Sequence, residues 1–206
     1  MRSAEWRLFL PNDENRRHPA EVRTLVSMLE DVAPVVRTDF YVKADADVGV
    51  KRRGGGTLEC KTLKQRQVLG GGVGPGEAET FEKVKLGHGT TASHIIEHLR
   101  GQDGGISEML EATLKEPLEV RVMKVVRKKN IETAQEAASF EVTEVTVTFP
   151  EMNEDYPKKW LTFCAEGSLD VIEAFLGSTG KPLVALMSLR GALQIGYPQF
   201  VEMIAS

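Results

Sequence analysis

The stretch that most constrains this chain is Val48–Leu63, VGVKRRGGGTLECKTL, which reads as two short strands joined by Gly54-Gly55-Gly56. Glycine reaches the positive φ angles that a three-residue hairpin loop needs. Pairing Arg53 with Thr57 sets Lys51 opposite Glu59 and Gly49 opposite Lys61. Opposed residues point to one side of a sheet, so one face carries Lys51, Arg53, Thr57, Glu59 and Lys61. The other carries Val48, Val50, Leu58 and Cys60, with Arg52 near the turn. The apolar face requires a core, and the charged face requires water, partners or a ligand.

Composition narrows the classes. The chain has 206 residues, 41% hydrophobic and 27% charged, as an ordinary globular domain has, and we read residues 1–206 as one domain. A net charge of −4 gives the whole chain no pull toward nucleic acid or an anionic membrane, so any bound anion needs a local basic cluster. No apolar run approaches the roughly 20 residues of a membrane span. The start, MRSAEWRLFLPNDENRR, lacks the apolar segment of a secretory signal, and the two cysteines suggest no disulfide framework. The expectation is a cytoplasmic protein.

Further strands follow the same plan. Glu5–Leu10 alternates Trp6, Leu8 and Leu10 against Glu5, Arg7 and Phe9. Asp39–Val42 is a second strand, and Phe81–Leu86 a further one. In Leu118–Lys129, Val120, Val122 and Val126 oppose Glu119, Arg121, Arg127 and Lys129, while Lys124 breaks the alternation and is expected to snorkel at an edge. Phe140–Phe149 shifts its apolar phase between Val142 and Val145, which predicts a bulge near Glu144. Trp160–Glu166 sets Leu161, Phe163 and Ala165 against Thr162, Cys164 and Glu166. Helices are expected after Pro19 (burying Val22, Leu25, Val26 and Leu29), over Thr91–Leu99 and Ile106–Leu114, from Ser168 to Leu176, and over Ala185–Leu193 and Gln199–Ile204. The run Gly70–Gly76 reads as a flexible connection, since it lacks the Gly-Lys-Ser/Thr ending of a phosphate loop.

One apolar face opposite a face of Glu, Lys and Arg recurs on at least four strands. A sheet with one wet face explains any single case. The recurrence of basic residues in an acidic chain points instead to an α+β fold: an antiparallel β-barrel, or tunnel, with helices packed on its outside and charged faces inward. Such an interior is costly unless it holds a counter-charged ligand. Lys and Arg grip phosphates, and carboxylates hold a hard divalent cation.

The order of these segments resembles the CYTH, or triphosphate tunnel metalloenzyme, family, which includes thiamine and inorganic triphosphatases. Glu5-x-Arg7 stands where the family has Glu-x-Glu-x-Lys, and DFYV from Asp39 resembles its second strand. VKRR (Val50–Arg53) and LECK (Leu58–Lys61) are similar to its basic strands, and Arg127-x-Lys129 to a later basic pair. EVTEV from Glu141 resembles its acidic strand, FCAEG its Phe-x-Glu-x-Glu with Cys164 in place of the first Glu, and GYPQFVEMI its closing helix. The resemblance implies Mg²⁺- or Mn²⁺-dependent hydrolysis of a small triphosphate or polyphosphate. Arg7, Lys51, Arg53, Lys61, Arg127 and Lys129 would then hold phosphates. Glu5, Glu144 and Glu166 would hold the metal, with Glu59 joining them or orienting the lysines beside it. Arg7, Phe9 and Cys164 stand where the family has Glu, Lys and Glu, and fewer carboxylates mean weaker Mg²⁺ binding.

Two other readings compete. A non-catalytic polyanion-binding module needs the basic residues alone. His94-x-x-Glu97-His98 matches the zinc motif of inverzincin peptidases, with Glu173 as a third ligand, although such short matches are more often a solvated helix face. Cys164 is a reactive thiol if it lies beside the basic cluster, and otherwise a packed one.

Overall fold

The computed structural model describes residues 2–12, 18–42, 44–54, 56–70, 76–87, 91–101, 106–115, 119–132, 137–148 and 158–204. Most of Gly70–Gly76 (residues 71–75) lies outside them.

Eight strands close into an antiparallel barrel in the order β1-β5-β4-β3-β2-β6-β7-β8. They are β1 (Arg2–Pro11), β2 (Val35–Val42), β3 (Val48–Arg53), β4 (Thr57–Val68), β5 (Glu77–Gly87), β6 (Glu119–Glu132), β7 (Ala137–Thr148) and β8 (Lys158–Gly167). The hairpin register is the one its sequence dictates: Arg53 opposite Thr57, Lys51 opposite Glu59, Gly49 opposite Lys61. Gly54 adopts φ 55°, and the Gly56 N–H donates to the Arg53 carbonyl at 3.0 Å.

Helices cover two sectors of the wall. The outward side chains Trp6, Leu8 and Leu10 of β1, Phe140 and Val142 of β7, and Leu161, Phe163 and Ala165 of β8 are buried. They lie under α1 (Ala20–Ser27), α4 (Leu169–Gly177) and α5 (Lys181–Leu186). On the hairpin's apolar face, Val48, Val50, Leu58 and Cys60 pack under α2 (Ala92–Arg100) and α3 (Glu108–Lys115). Among the described residues no helix covers the outer face of β6, and Arg121, Met123 and Lys129 are exposed there.

The last helix, α6 (Tyr197–Ile204), goes inside. Its side chains Tyr197, Phe200, Val201 and Ile204 form one buried cluster with the inward Phe9, Tyr41, Val120, Val122, Val145 and Val147. Phe200 stacks on Phe9 (centroids 4.0 Å apart) and meets Trp160 edge-on at 5.3 Å. The chain enters where β1 leaves β5. Those strands pair only through Arg2–Glu5, and farther along Phe9 exchanges backbone hydrogen bonds with Leu193 at 2.8 and 2.9 Å. A Cβ on Gly49 would lie 2.8 Å from the Pro198 ring, so only glycine lets α6 seat this close to β3. The barrel is therefore not an open tunnel: α6 fills one end.

The plug explains three departures from the sequence reading. β7 keeps an unbroken register with both neighbours, so there is no bulge near Glu144. The apolar phase shifts because the buried face changes: outward under α4 for Phe140 and Val142, inward against α6 for Val145 and Val147. On β6 the polarity inverts, with Val120, Val122, Lys124, Val126 and Lys128 pointing inward and Arg127 and Lys129 outward. Finally, the expected helix Ala185–Leu193 is instead α5, opened by Lys181-Pro182, followed by turns and the Leu193 bridge.

Candidate functional site

Above the plug the interior is a cavity of about 380 Å³, within the size range of small-ligand sites. Nine lysine and arginine side chains line it, against four glutamates, in a chain whose net charge is −4. β1 contributes Glu5 and Arg7, β2 Arg37 and Tyr41, and β3 Lys51 and Arg53. β4 adds Glu59 and Lys61, β5 Lys83 and Lys85, β6 Lys124 and Lys128, β7 Glu141, β8 Glu166 and α6 Tyr197.

The geometry brings together seven of the sequence candidates for phosphate or metal: Arg7, Lys51, Arg53, Lys61, Glu5, Glu59 and Glu166. Three candidates belong to the outer face and are corrected here. Arg127 pairs with Glu144 at 3.8 Å, and Lys129 lies 3.9 Å from Asp31 of the α1 turn. Their strands invert polarity where α6 makes the interior apolar, so an alternation that assigned valines outward picked the wrong face. Lys124 is corrected in the opposite sense: it does not snorkel but sits 1% exposed on the cavity floor.

Charge on the β1–β4–β5 wall is knitted through Glu5. Lys61 Nζ reaches its Oε2 at 2.6 Å and Lys83 Nζ its Oε1 at 2.8 Å. Lys83 also pairs with Glu166, which Lys128 approaches at 3.6 Å and to which Ser3 donates at 3.1 Å. Burial alone raises the Glu5 carboxyl, but Lys61, Lys83 and Arg7 outweigh it and hold the group well below its usual range. Burial likewise works against the Lys83 ammonium, and Glu5 and Glu166 overcome it. At the mouth, Glu59 accepts Lys51 at 3.3 Å and Arg53 at 3.2 Å.

On the floor, Asp39 is fully buried and shared by Lys124 (3.2 Å), Arg37 (3.5 Å) and Lys51 (3.9 Å). Lys124 Nζ also donates to the Tyr41 hydroxyl at 2.7 Å and lies 3.6 Å from the centre of the Tyr197 ring. Arg7 lies 3.6 Å from Glu141, donates to Thr162 at 3.3 Å and covers the other ring contact of Tyr197 at 4.6 Å. Arg7 Nε and Tyr197 Oη are buried without a hydrogen-bond partner among the described residues. Such unspent donors are costly in an empty site and useful in a filled one.

Sequence reasoning missed Arg37, Tyr41, Lys83, Lys85, Lys124, Lys128 and Glu141. The signal for Lys124 was present, since a lysine in the valine register of β6 is what an inward charge looks like. Lys83 and Lys85 stood in FEKVKL at strand spacing.

The carboxylates do not make a metal centre in this arrangement. Glu5 and Glu166 are joined through Lys83 and Glu59 is tied to Lys51 and Arg53. Among the described residues no three His, Cys, Asp or Glu side chains converge as a metal site would require. The zinc reading fares likewise. His94 serves as a capping partner for Thr91 at the start of α2, Glu97 is exposed, and Glu173 accepts the Gly70 N–H on the other helical sector. Burial pushes the Cys164 thiol up to about 12, so it is a packed, protonated thiol; Cys60 under α2 is likewise raised, to about 11. No helix among the described residues is long and apolar enough to cross a membrane. No family model matches the chain, and no curated protein matches its sequence.

Proposed function

We propose that this protein binds a small polyanion of the triphosphate or polyphosphate class inside the barrel. The observation that carries the reading is the excess of nine basic side chains over four glutamates and Asp39 around one cavity of an acidic chain. On the buried floor, where Lys124 and Asp39 are shielded from water, each charge–phosphate contact is strengthened, and unpaired buried cations are otherwise disfavoured. Arg7, Arg37, Lys51, Lys61 and Lys124 reach the interior from five different strands, a spread that suits an anion enclosed on all sides. The resemblance to the triphosphate tunnel family agrees with this ligand class.

A second reading, metal-dependent hydrolysis of that ligand, rests on Glu5 and Glu166, which share the Lys83 ammonium on one wall. The present ion pairs occupy both carboxylates, so binding stands as the leading function.

One experiment tests both. Tripolyphosphate at millimolar concentration is expected to raise the melting temperature, and Lys51→Ala is expected to reduce the rise. The absence of any shift overturns the binding reading. Phosphate release that requires Mg²⁺ or Mn²⁺ and stops with EDTA establishes the hydrolase; a tenfold or larger loss of it in Glu166→Gln, by about the amount expected when metal placement is disturbed, assigns the carboxylate.

A further inference from the structure

The cavity floor holds more positive groups than its carboxylates can match. Lys124, Arg37 and Lys51 all converge on Oδ2 of Asp39. Glu141 is engaged by Arg7 at 3.6 Å and accepts from Thr143 at 2.8 Å, and Glu59 holds Lys51 at 3.3 Å, which leaves Lys124 and Arg37, among the described acidic residues, with Asp39 alone. The groups facing Lys124 are thus Arg37, Asp39 and Tyr41 from β2, Lys51 from β3, Arg7 from β1, Glu141 from β7 and Tyr197 from α6. One of them must relieve the imbalance. Arginine does not surrender its proton in proteins, whereas a buried lysine does so readily.

We propose that Lys124 is a proton-coupled anchor: it gains a proton as a polyanion seats on the floor, so that binding draws protons from solvent. This rests on the phosphate-binding reading and adds a residue and a linkage to it. The geometry selects Lys124 over its neighbours. It is the most buried of the cavity's lysines, flanked by three cations and one fully buried carboxylate, and its Nζ lies at the rings rather than in water. Burial and the nearby Lys51, Arg37 and Arg7 push its ammonium well below the ordinary lysine value, against the pull of Asp39. Burial pushes Lys51 to about 8 in the same way, so at pH 7 it is already mostly charged and contributes little uptake there. An anion placed among these groups reverses the balance at Lys124, because its charge favours the ammonium that the bare cluster disfavours. Affinity therefore falls as pH rises, by up to about tenfold per pH unit for one linked proton.

The test is isothermal titration calorimetry at pH 7 in two buffers of different ionisation enthalpy. The probes are trimetaphosphate, a trianion of strong acid groups with no proton to release near neutrality, and tripolyphosphate. The wild type is expected to take up protons on binding trimetaphosphate, up to one per anion, and Lys124→Arg to bind with that uptake abolished. If only tripolyphosphate binds, the same difference between wild type and Lys124→Arg is the expected result with that probe. Binding with equal proton counts in wild type and Lys124→Arg overturns the inference and leaves the phosphate reading intact. Failure of both anions to bind the wild type overturns the phosphate reading, and the inference with it. Should Lys124→Arg fail to fold, the wild type decides alone: an affinity for trimetaphosphate that does not change between pH 6 and 8 overturns the coupling.

Discussion

A lysine shared by two carboxylates is the pivot of the basic wall. Lys83 joins Glu5 to Glu166, and its removal leaves a buried and a partly buried carboxylate facing each other. Lys83→Met is expected to lower stability by about 1–3 kcal/mol, less than a fully buried pair would lose because Lys83 is 35% exposed and water screens it. The same variant frees Glu5 Oε1 and leaves Glu166 Oε1, among the described residues, to Ser3 alone, so its melting temperature should respond to Mn²⁺ more than that of the wild type. An equal response would argue against these carboxylates as latent metal ligands. The inward and outward basic residues also separate cleanly. Arg7→Met is expected to weaken tripolyphosphate by about tenfold or more, as the loss of a charge-assisted contact does. Arg127→Ala and Lys129→Ala, on the screened outer face, should change affinity by less than about twofold. Titration of all three variants checks the assignment of faces.

At the level of elements, α6 decides what the barrel can be. A strand barrel of this size is filled by side chains or leaves room for one small ligand, and here side chains fill one half while a cavity occupies the other. Phe200, fully buried between Phe9 and Trp160, is the centre of the filled half. Phe200→Ala is expected to cost about 3–5 kcal/mol in denaturant unfolding. Gly49→Val should cost about 1–3 kcal/mol by driving a side chain into the Pro198 ring, and it should loosen the floor that α6 carries through Tyr197. If Gly49→Val proves neutral, α6 does not seat against β3 as described.

For the molecule as a whole, the buried charges make stability depend on pH with a definite sign. Lys51 is depressed to about 8 from an ordinary 10.5, so between those values the unfolded chain binds more protons than the folded one. Stability of the empty protein therefore rises with pH across that window. Cys60 and Cys164 act oppositely: raised to about 11 and about 12 from 9.0, they ionise first in the unfolded chain and lower stability above pH 9. The denaturation midpoint is expected to climb from pH 8 to 9 and then turn over, and Lys51→Arg should lessen the climb, to which Lys124 and Lys61, also held below the ordinary lysine value, contribute the rest. In acid the sign is the same as for Lys51, because Glu5, Asp39, Glu141 and Glu166 are all held below their ordinary values and the unfolded chain again binds more protons. Their contribution is present above the ordinary carboxylate range and is lost as pH falls through their folded values. A midpoint that is unchanged from pH 5 to 3 would contradict the buried ion pairs.

Much of this was legible in the chain because strand periodicity is local. The alternation in Val48–Leu63 and Glu5–Leu10 determines which residues share a face, and the hairpin register follows from three glycines. With apolar faces demanding cover, the barrel with outer helices and the inward Glu5, Arg7, Lys51, Arg53, Glu59, Lys61 and Glu166 followed. Periodicity says which residues lie together but not which side is inside. That was decided by contacts distant in sequence: Phe200 against Phe9, Tyr197 against Lys124, Pro198 against Gly49. Because α6 enters the barrel, valines turn inward on β6, Arg127 and Lys129 turn outward, and Lys124 becomes the buried charge of the floor. Burial is a property of the assembled wall, and only the closed barrel and its plug could assign it.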